Sequence, residues 1–159
     1  MGMPAEDASN SRRGQLPRIL DFLGGEKLLN HLVKTQLDVH ELISVGFPSG
    51  VLTFLSKNVE VLRDPDILKK AVGVSLRTTQ RKAASEKMLT MEQSGKAWKF
   101  AEIMTRAIDV FGTKEDAEEW LTKPAIALEQ RRPIDLLSSP AGVELVEELL
   151  GRLEYGVYA

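Results

Sequence analysis

Residues 64–87 read DPDILKKAVGVSLRTTQRKAASEK, a stretch with the start and end signals of two short helices. Asp64 followed by Pro65 predicts a helix start, because Asp caps helices well and Pro fits the first helical turn. Gly73 can take the positive φ of a tight link, and Ser75 can cap a second helix. Two short helices joined by a turn with Gly predict a helix-turn-helix.

The second helix of this pair has a basic face. Leu76 and Ala83 are expected to pack inward, which would turn the basic side chains outward. Arg77 and Arg81 are four residues apart, so they share one face of the helix. This arrangement favours DNA as a partner, although a solvated helix in an ordinary bundle remains the alternative.

DNA chemistry suits these side chains. Arg77, Thr78 and Arg81 occupy the early part of the helix, from which base edges are usually contacted. Lys82 and Lys87 can neutralise phosphates, which supplies most of the sequence-independent affinity. The predicted DNA-binding residues are Lys70, Ser75, Arg77, Thr78, Arg81, Lys82 and Lys87.

Helical patterns continue on both sides of this stretch. Residues 1–15 are polar and small, and we expect them to be disordered. Residues 16–42 predict a helix or helix pair broken at Gly24, with an apolar helical run at 28–33. No segment alternates apolar and polar residues over a convincing length, so the sequence predicts an all-α fold.

A long helix is predicted after a Thr90–Gln93 capping box and ends at Gly112. Its apolar stripe is most simply part of the core, with a dimer surface as the alternative. The residues with this core or dimer role are Trp98, Phe100, Met104, Phe111 and Trp120. Pro133 is expected to start a short helix, and Ser139 to cap the last one.

Composition narrows the function. The chain has 159 residues, no Cys and two His. The missing Cys excludes disulfides, thiolate catalysis and Cys-ligated metals. No apolar run reaches the ~18 residues of a membrane span, and no apolar run follows Arg12 and Arg13. We therefore expect a cytoplasmic protein.

Charge is distributed unevenly along the chain. The net charge is −2 overall, but residues 63–99 carry nine Lys or Arg against four acids, and residues 100–159 carry six against twelve. A basic middle and an acidic end suggest two partners of opposite character. Two solvated surfaces are the alternative.

Enzyme chemistry has little support in the sequence. Neighbouring acids such as Glu118 and Glu119 splay apart on a helix. Ser139 has no suitable His partner, since His31 and His40 both lie early in the chain. No phosphate-binding glycine loop is present. We predict no catalytic residue, no metal site and no cofactor.

The C-terminal residues 150–159, LGRLEYGVYA, are unusual for a terminus. Termini are usually polar and poorly ordered, whereas this one holds both Tyr of the chain and two Gly. The segment can dock on a partner or on its own chain.

These features together resemble one family, the antitoxins of RES–Xre toxin–antitoxin systems, of the Xre/MbcA/ParS type. The resemblance covers residues 45–159 and is strongest from Ala97 onward. The motifs that carry it are 72–75 with Arg77, Thr78 and Arg81, then 107–112, 117–121, 133–137, Gly142 and 150–159. Family members often have small residues, including Gly, before the Pro-x-Asp-Leu-Leu motif, where this chain has LEQRR at 128–132.

The resemblance implies a Cro/repressor-like helix-turn-helix followed by a small helical toxin-binding domain. The implied boundaries are 16–89 for the helical region with the helix-turn-helix and 90–159 for toxin binding and dimerisation. It also implies a NAD-consuming RES-domain toxin whose active site the antitoxin occludes, an operator repressed by the antitoxin, and a homodimer within a larger complex. The implied toxin-binding residues are Arg152, Glu154, Tyr155, Gly156, Val157, Tyr158 and Ala159.

Two other functions stay open at this point. One is a stand-alone transcription regulator whose acidic half only dimerises. The other is a helical scaffold without a DNA role. A dimerisation module does not need an aromatic ending that reaches the last residue, which favours the antitoxin.

Overall fold

The chain is built from ten α-helices and two short 3-10 turns in the computed structural model, which describes residues 5–156, with side chains from residue 14 onward. Within those residues there is no strand, and one isolated bridge joins Ala125 to Arg131. The all-α prediction is confirmed. The α-helices are α1 (Ala5–Phe22), α2 (Gly25–Leu29), α3 (Gln36–Val45), α4 (Gly50–Asn58), α5 (Pro65–Val72), α6 (Leu76–Ser85), α7 (Met91–Phe111), α8 (Lys114–Leu121), α9 (Pro133–Leu136) and α10 (Pro140–Glu154).

Helix α1 departs from the disorder that we expected for residues 1–15. The helix begins at Ala5, and residues 1–4 lie outside the described part. Its C-terminal half is anchored by apolar side chains at helical spacing, since Leu16, Ile19 and Leu20 are buried. This anchoring, which composition alone does not reveal, gives the preceding residues a helix to extend.

The apolar run at 28–33 does not form one helix. Helix α2 ends at Leu29, because Asn30 adopts a left-handed conformation with φ 55°. A new helix then starts at a Thr35–Asp38 capping box, in which Asp38 N–H donates to Thr35 Oγ1 at 3.1 Å and Thr35 N–H donates to Asp38 Oδ2 at 3.0 Å. Leu32 is therefore exposed rather than buried.

The start and end signals around α5 and α6 act as predicted. The carboxylate of Asp64 accepts the backbone N–H of Asp66 at 2.9 Å and caps α5. Gly73 ends α5 with a φ of 76°, and Ser75 Oγ accepts Thr78 N–H at 3.1 Å to start α6. Local polar side chains thus fix the three-residue turn between the helices.

Helix α7 is the centre of one shared core. It packs against α1, α3, α5, α8 and α10. Trp98, Phe100 and Met104 are buried within this core, and the partly buried rings of Phe111 and Trp120 lie 5.2 Å apart. The first three side chains therefore have the core role, since they are not accessible to a second chain.

Helices α9 and α10 meet at a close backbone contact. Ser139 Oγ accepts Gly142 N–H at 3.0 Å and caps α10 as predicted. A Cβ at Gly142 would lie 1.9 Å from the carbonyl oxygen of Leu136. This packing fixes α10, and therefore the start of the C-terminal segment, against α9.

No single helix among residues 5–156 is long and apolar enough to cross a membrane. Helices α3 and α4 meet the length and composition criteria only as a pair, and that pair is bent by 111°.

Candidate functional site

The side chains of α6 that face inward are not the ones that we predicted. Leu76 is 42% exposed and Ala83 is exposed, so neither packs inward. The buried residue of α6 is Thr79, whose Oγ1 donates to the carbonyl oxygen of Ser75 at 3.0 Å. The inward face of this helix is thus narrow and partly polar, a pattern that apolar periodicity cannot detect.

The two arginines predicted to contact DNA bases lie on the solvent side of α6. Arg77 and Arg81 are both exposed, one helical turn apart. Lys87 is exposed in the segment that follows the helix. These three cations give α6 and its end a positive surface that a phosphate backbone can approach.

Three of the predicted DNA-binding residues at α6, Ser75, Thr78 and Lys82, have partners within the chain. Ser75 Oγ donates to Thr78 Oγ1 at 2.9 Å in addition to capping α6, and Thr78 is half-buried. Lys82 Nζ donates to the carbonyl oxygen of Met88 at 3.0 Å. These contacts stabilise both ends of α6.

Lys70 lies in an ion-pair cluster that joins α5 to α9. Its Nζ is 2.8 Å from Asp135 Oδ1 and 3.0 Å from Asp66 Oδ2. Arg132 also holds Asp135, with Nε donating to Oδ2 and Nη2 to Oδ1, both at 2.9 Å. The ammonium group of Lys70 is therefore paired with carboxylates of its own chain, whereas the neighbouring Lys69 is exposed.

The cluster changes the titration of its groups. The fork of hydrogen bonds from Arg132, with the bond from Lys70, lowers the pKa of Asp135 from 3.8 to about 2. Asp135 in turn raises the pKa of Lys70 and of Arg132. Mutual stabilisation favours the charged forms of these groups, so the cluster links α5 to α9 as ion pairs at neutral pH.

Replacing the shared carboxylate tests this link. We expect Asp135→Asn to lower the free energy of unfolding at pH 7 by about 1–2 kcal/mol, which is the pKa shift discounted for partial exposure. Because the folded pKa is depressed, the stabilisation is fully present above the unfolded pKa and is lost as pH falls toward about 2. Urea unfolding of both proteins at pH 7, 4 and 2.5 measures the difference.

Asp66→Asn is the matched control for this prediction. Asp66 also contacts Lys70, but its side chain is 64% exposed against 30% for Asp135. We expect a smaller effect of this change, as for most exposed ion pairs. A difference between wild type and Asp135→Asn that does not shrink in acid would contradict the assigned cause.

The loop between α8 and α9 holds an unusual backbone. Glu129 and Gln130 have φ values of 54° and 64°, in the left-handed region that favours Gly. The loop is closed by Ala125 N–H donating to the carbonyl oxygen of Arg131 at 3.0 Å, and it carries Ile126 with 84% of its surface exposed. The chain has LEQRR at 128–132 in this loop.

The C-terminal segment starts at the protein surface. Arg152 Nη2 donates to Glu148 at 2.8 Å, and Glu154 lies 3.6 Å from Arg106, so both of these implied toxin-binding residues have partners within the chain. Tyr155 is 66% exposed, and Gly156 has a φ of 71°. The predicted toxin-binding residues Val157, Tyr158 and Ala159 lie outside the described residues.

A second network between α7 and α10 was not predicted. Lys99 Nζ lies 2.8 Å from Glu147 and 3.2 Å from Glu102, which also accepts the indole N–H of Trp98 at 2.6 Å. Its i, i+3 and i, i+4 members could have been found by helical spacing, but the 48-residue link to Glu147 could not. Residues 14–156 contain no group of three His, Asp or Glu side chains placed to hold a metal ion.

Comparisons with known proteins point to one family. Residues 106–156 match the family described as the antitoxin Xre/MbcA/ParS C-terminal toxin-binding domain. The antitoxin Xre of Yersinia enterocolitica is 34% identical over 118 residues, which cover 74% of this chain and 78% of that protein. The antitoxin Xre of Photorhabdus laumondii is 27% identical over 120 residues, or 75% of this chain and 80% of the relative.

A further relative has a more specific name. The Prs ADP-ribosylating antitoxin of a Sphingobium species is 27% identical over 105 residues, which cover 60% of this chain and 66% of that protein. The matched toxin-binding unit contains α8, α9, α10 and the strained loop, all described above. The chain belongs to the Xre family of antitoxins, and it acts in a toxin–antitoxin system.

Proposed function

We propose that this antitoxin neutralises a RES-domain toxin, an enzyme that consumes NAD. Its C-terminal segment, residues 155–159, would occupy the active site of that toxin. The name of the Sphingobium relative links an antitoxin to ADP-ribosylation, a reaction that uses NAD. RES toxins are related to ADP-ribosyltransferases, so the same class of toxin fits this chain.

One observation carries this proposal: the last described residues are all exposed. Glu154, Tyr155 and Gly156 leave the end of α10 at the surface, with two aromatic residues and two Gly among the final ten residues. Helix α10 is anchored against α9 at Gly142, and only five residues, 155–159, follow it. Occupation of the active site excludes NAD by simple competition.

Truncation at Glu154 tests the role of the segment. We expect a chain ending at Glu154 to keep its fold, because the removed Tyr155 is largely exposed, and to lose neutralisation of the toxin. The measurement is growth on co-expression with the protein encoded by the adjacent reading frame, with NAD content as a second readout.

Two controls accompany the truncation. Thermal unfolding of the shortened chain must match that of the full chain, and a tagged neighbour protein must retain the full chain on a column. A folded, shortened chain that restores growth fully would overturn the proposed role of the segment. Failure of the full chain to bind the neighbour would overturn the choice of toxin.

We further infer that α5, the turn and α6 bind operator DNA as part of a homodimer and repress the operon. The support is the net positive charge of residues 63–99 together with the exposure of Arg77, Arg81 and Lys87. Two-fold symmetry would place two α6 helices on successive half-sites of a palindrome. This role leaves Lys70 within its cluster and uses the cations that face solvent.

The arginines of α6 give a further prediction. We expect Arg77→Ala and Arg81→Ala each to weaken operator binding by about 1–3 kcal/mol and to relax base preference. Fluorescence anisotropy with the upstream region of the operon, at several salt concentrations, measures both effects. Lys123→Ala is the matched control, since Lys123 is an exposed cation on the acidic half of the chain.

Salt dependence separates the roles of these residues. A base contact changes affinity for the operator more than for unrelated DNA, whereas a phosphate contact weakens both and lowers the salt slope by about one. Operator binding that is unchanged in both arginine variants would contradict the assignment of α6 to DNA.

A further inference from the structure

Ile126 is the most exposed large apolar side chain in the described part of the chain, at 84%. Single exposed apolar residues are common, so this exposure alone says little. Its setting is more informative, because the residue lies in the middle of the matched toxin-binding unit, 106–156.

The loop around Ile126 is internally bonded. Gln130 N–H donates to the carbonyl oxygen of Ala125 at 2.9 Å, and Arg131 N–H donates to that of Leu128 at 3.1 Å. Leu128 is buried and fixes the loop to the protein. A side chain displayed on such a loop loses little conformational freedom when a partner covers it.

The same loop contains backbone strain. Glu129 and Gln130 both adopt positive φ without being Gly, a conformation that persists only where the surrounding structure imposes it. Residues of this kind cluster at ligand clamps and functional sites. Here the two residues shape the turn that follows Ile126.

The surface around Ile126 has an apolar centre and a neutral edge. Pro124 and Ala127 are exposed beside it. The charged residues next to the loop in sequence are paired within the chain, Arg131 with Glu129 at 2.9 Å and Lys123 with Glu119. An apolar centre with a polar rim is typical of the energetically important part of an interface, and paired charges favour an apolar pocket on the partner.

We propose that Ile126 is an anchor that inserts into an apolar pocket on the cognate toxin, at a contact separate from the C-terminal segment. This inference rests on the toxin-binding function. It gives the antitoxin two contacts: the segment after Glu154 blocks the active site, and the loop at Ile126 supplies affinity and partner choice.

The test is the affinity of full-length variants for the protein encoded by the adjacent reading frame. We expect Ile126→Asp to weaken binding about 30-fold, the loss typical of an anchor residue, and Ile126→Leu to bind within about threefold of wild type. Leu37→Asp is the matched control, because Leu37 is 66% exposed on α3, outside the toxin-binding unit. All three variants should unfold at the wild-type temperature, since their side chains lie in solvent.

Each result decides between the possibilities. Wild-type affinity of Ile126→Asp would overturn the anchor, as would an equal loss in Leu37→Asp. Light scattering of the antitoxin without the toxin gives its oligomeric mass. If Ile126→Asp changes that mass but not the affinity for the toxin, a second copy of the chain covers Ile126, and the proposal is wrong. If the wild-type chain does not bind the protein encoded by the adjacent reading frame, the proposed function is wrong, and so is the proposed anchor. A chain ending at Glu154 that still binds and then loses binding on Ile126→Asp would support two separate contacts.

Discussion

Gly142→Ala is expected to destabilise the chain by about 3 kcal/mol and to remove toxin binding. The new Cβ would lie 1.9 Å from the carbonyl oxygen of Leu136 and 2.8 Å from its carbon. Both atoms belong to the backbone of α9, so no side-chain rotation can relieve the overlap. The Ser139 cap on Gly142 N–H, 3.0 Å long, belongs to α10 and moves with it, so the overlap is relieved only if α10 moves away from α9.

The matched control for this change is Gly151→Ala in the same helix. A Cβ at Gly151 would approach Arg106 Nη2 to 3.5 Å, an ordinary contact with a flexible side chain. We expect this variant to be as stable as wild type or slightly more stable, since Ala favours helix over Gly. Urea unfolding measures both variants, and equal stability of Gly142→Ala and wild type would show that α9 and α10 can separate freely.

Phe100→Ala is the second change with a large expected effect, about 3–5 kcal/mol. Phe100 is 1% exposed on α7, and its ring lies 6.3 Å from the ring of Phe22 with a 59° tilt. The cavity would open where α1 packs on α7. Because α7 contacts helices of both halves of the chain, we expect a loss of stability in the whole molecule.

Met91→Ala and Phe22→Ala complete this experiment. Met91 is 56% exposed on the same helix, so its removal should change stability little. In a double-mutant cycle, Phe22 and Phe100 should show a coupling of about 0.5–1.5 kcal/mol. A cost below about 1 kcal/mol for Phe100→Ala would mean that α1 is dispensable for the core.

Helix boundaries in this chain are largely predictable because they depend on local chemistry. Asp64, Ser75, Thr90, Thr113 and Ser139 each accept a backbone N–H two or three residues later, which is the interaction that their position in the sequence indicates. Such signals need no knowledge of the rest of the chain, so an all-α fold follows from the sequence.

The predictions that depend on distant residues were less successful. The partner of Lys70 is Asp135, 65 residues later, and no spacing rule connects them. The prediction of the inward-facing residues of α6 was wrong, because Thr79 is buried and Leu76 is exposed. Glu129 and Gln130 stand out in the sequence because the resemblance leads us to expect small residues there. Only the structure shows that their backbone is in the left-handed region.

The shared core around α7 has a consequence for turnover in the cell. Since α1, α3, α5, α8 and α10 all pack on this one helix, loss of α7 removes support from both the basic and the acidic half. Unfolding of such a unit is expected to be cooperative, so a protease that cleaves the opened chain would eliminate both halves together. Degradation of one molecule would then remove the toxin-binding unit and the proposed DNA-binding helices in the same event.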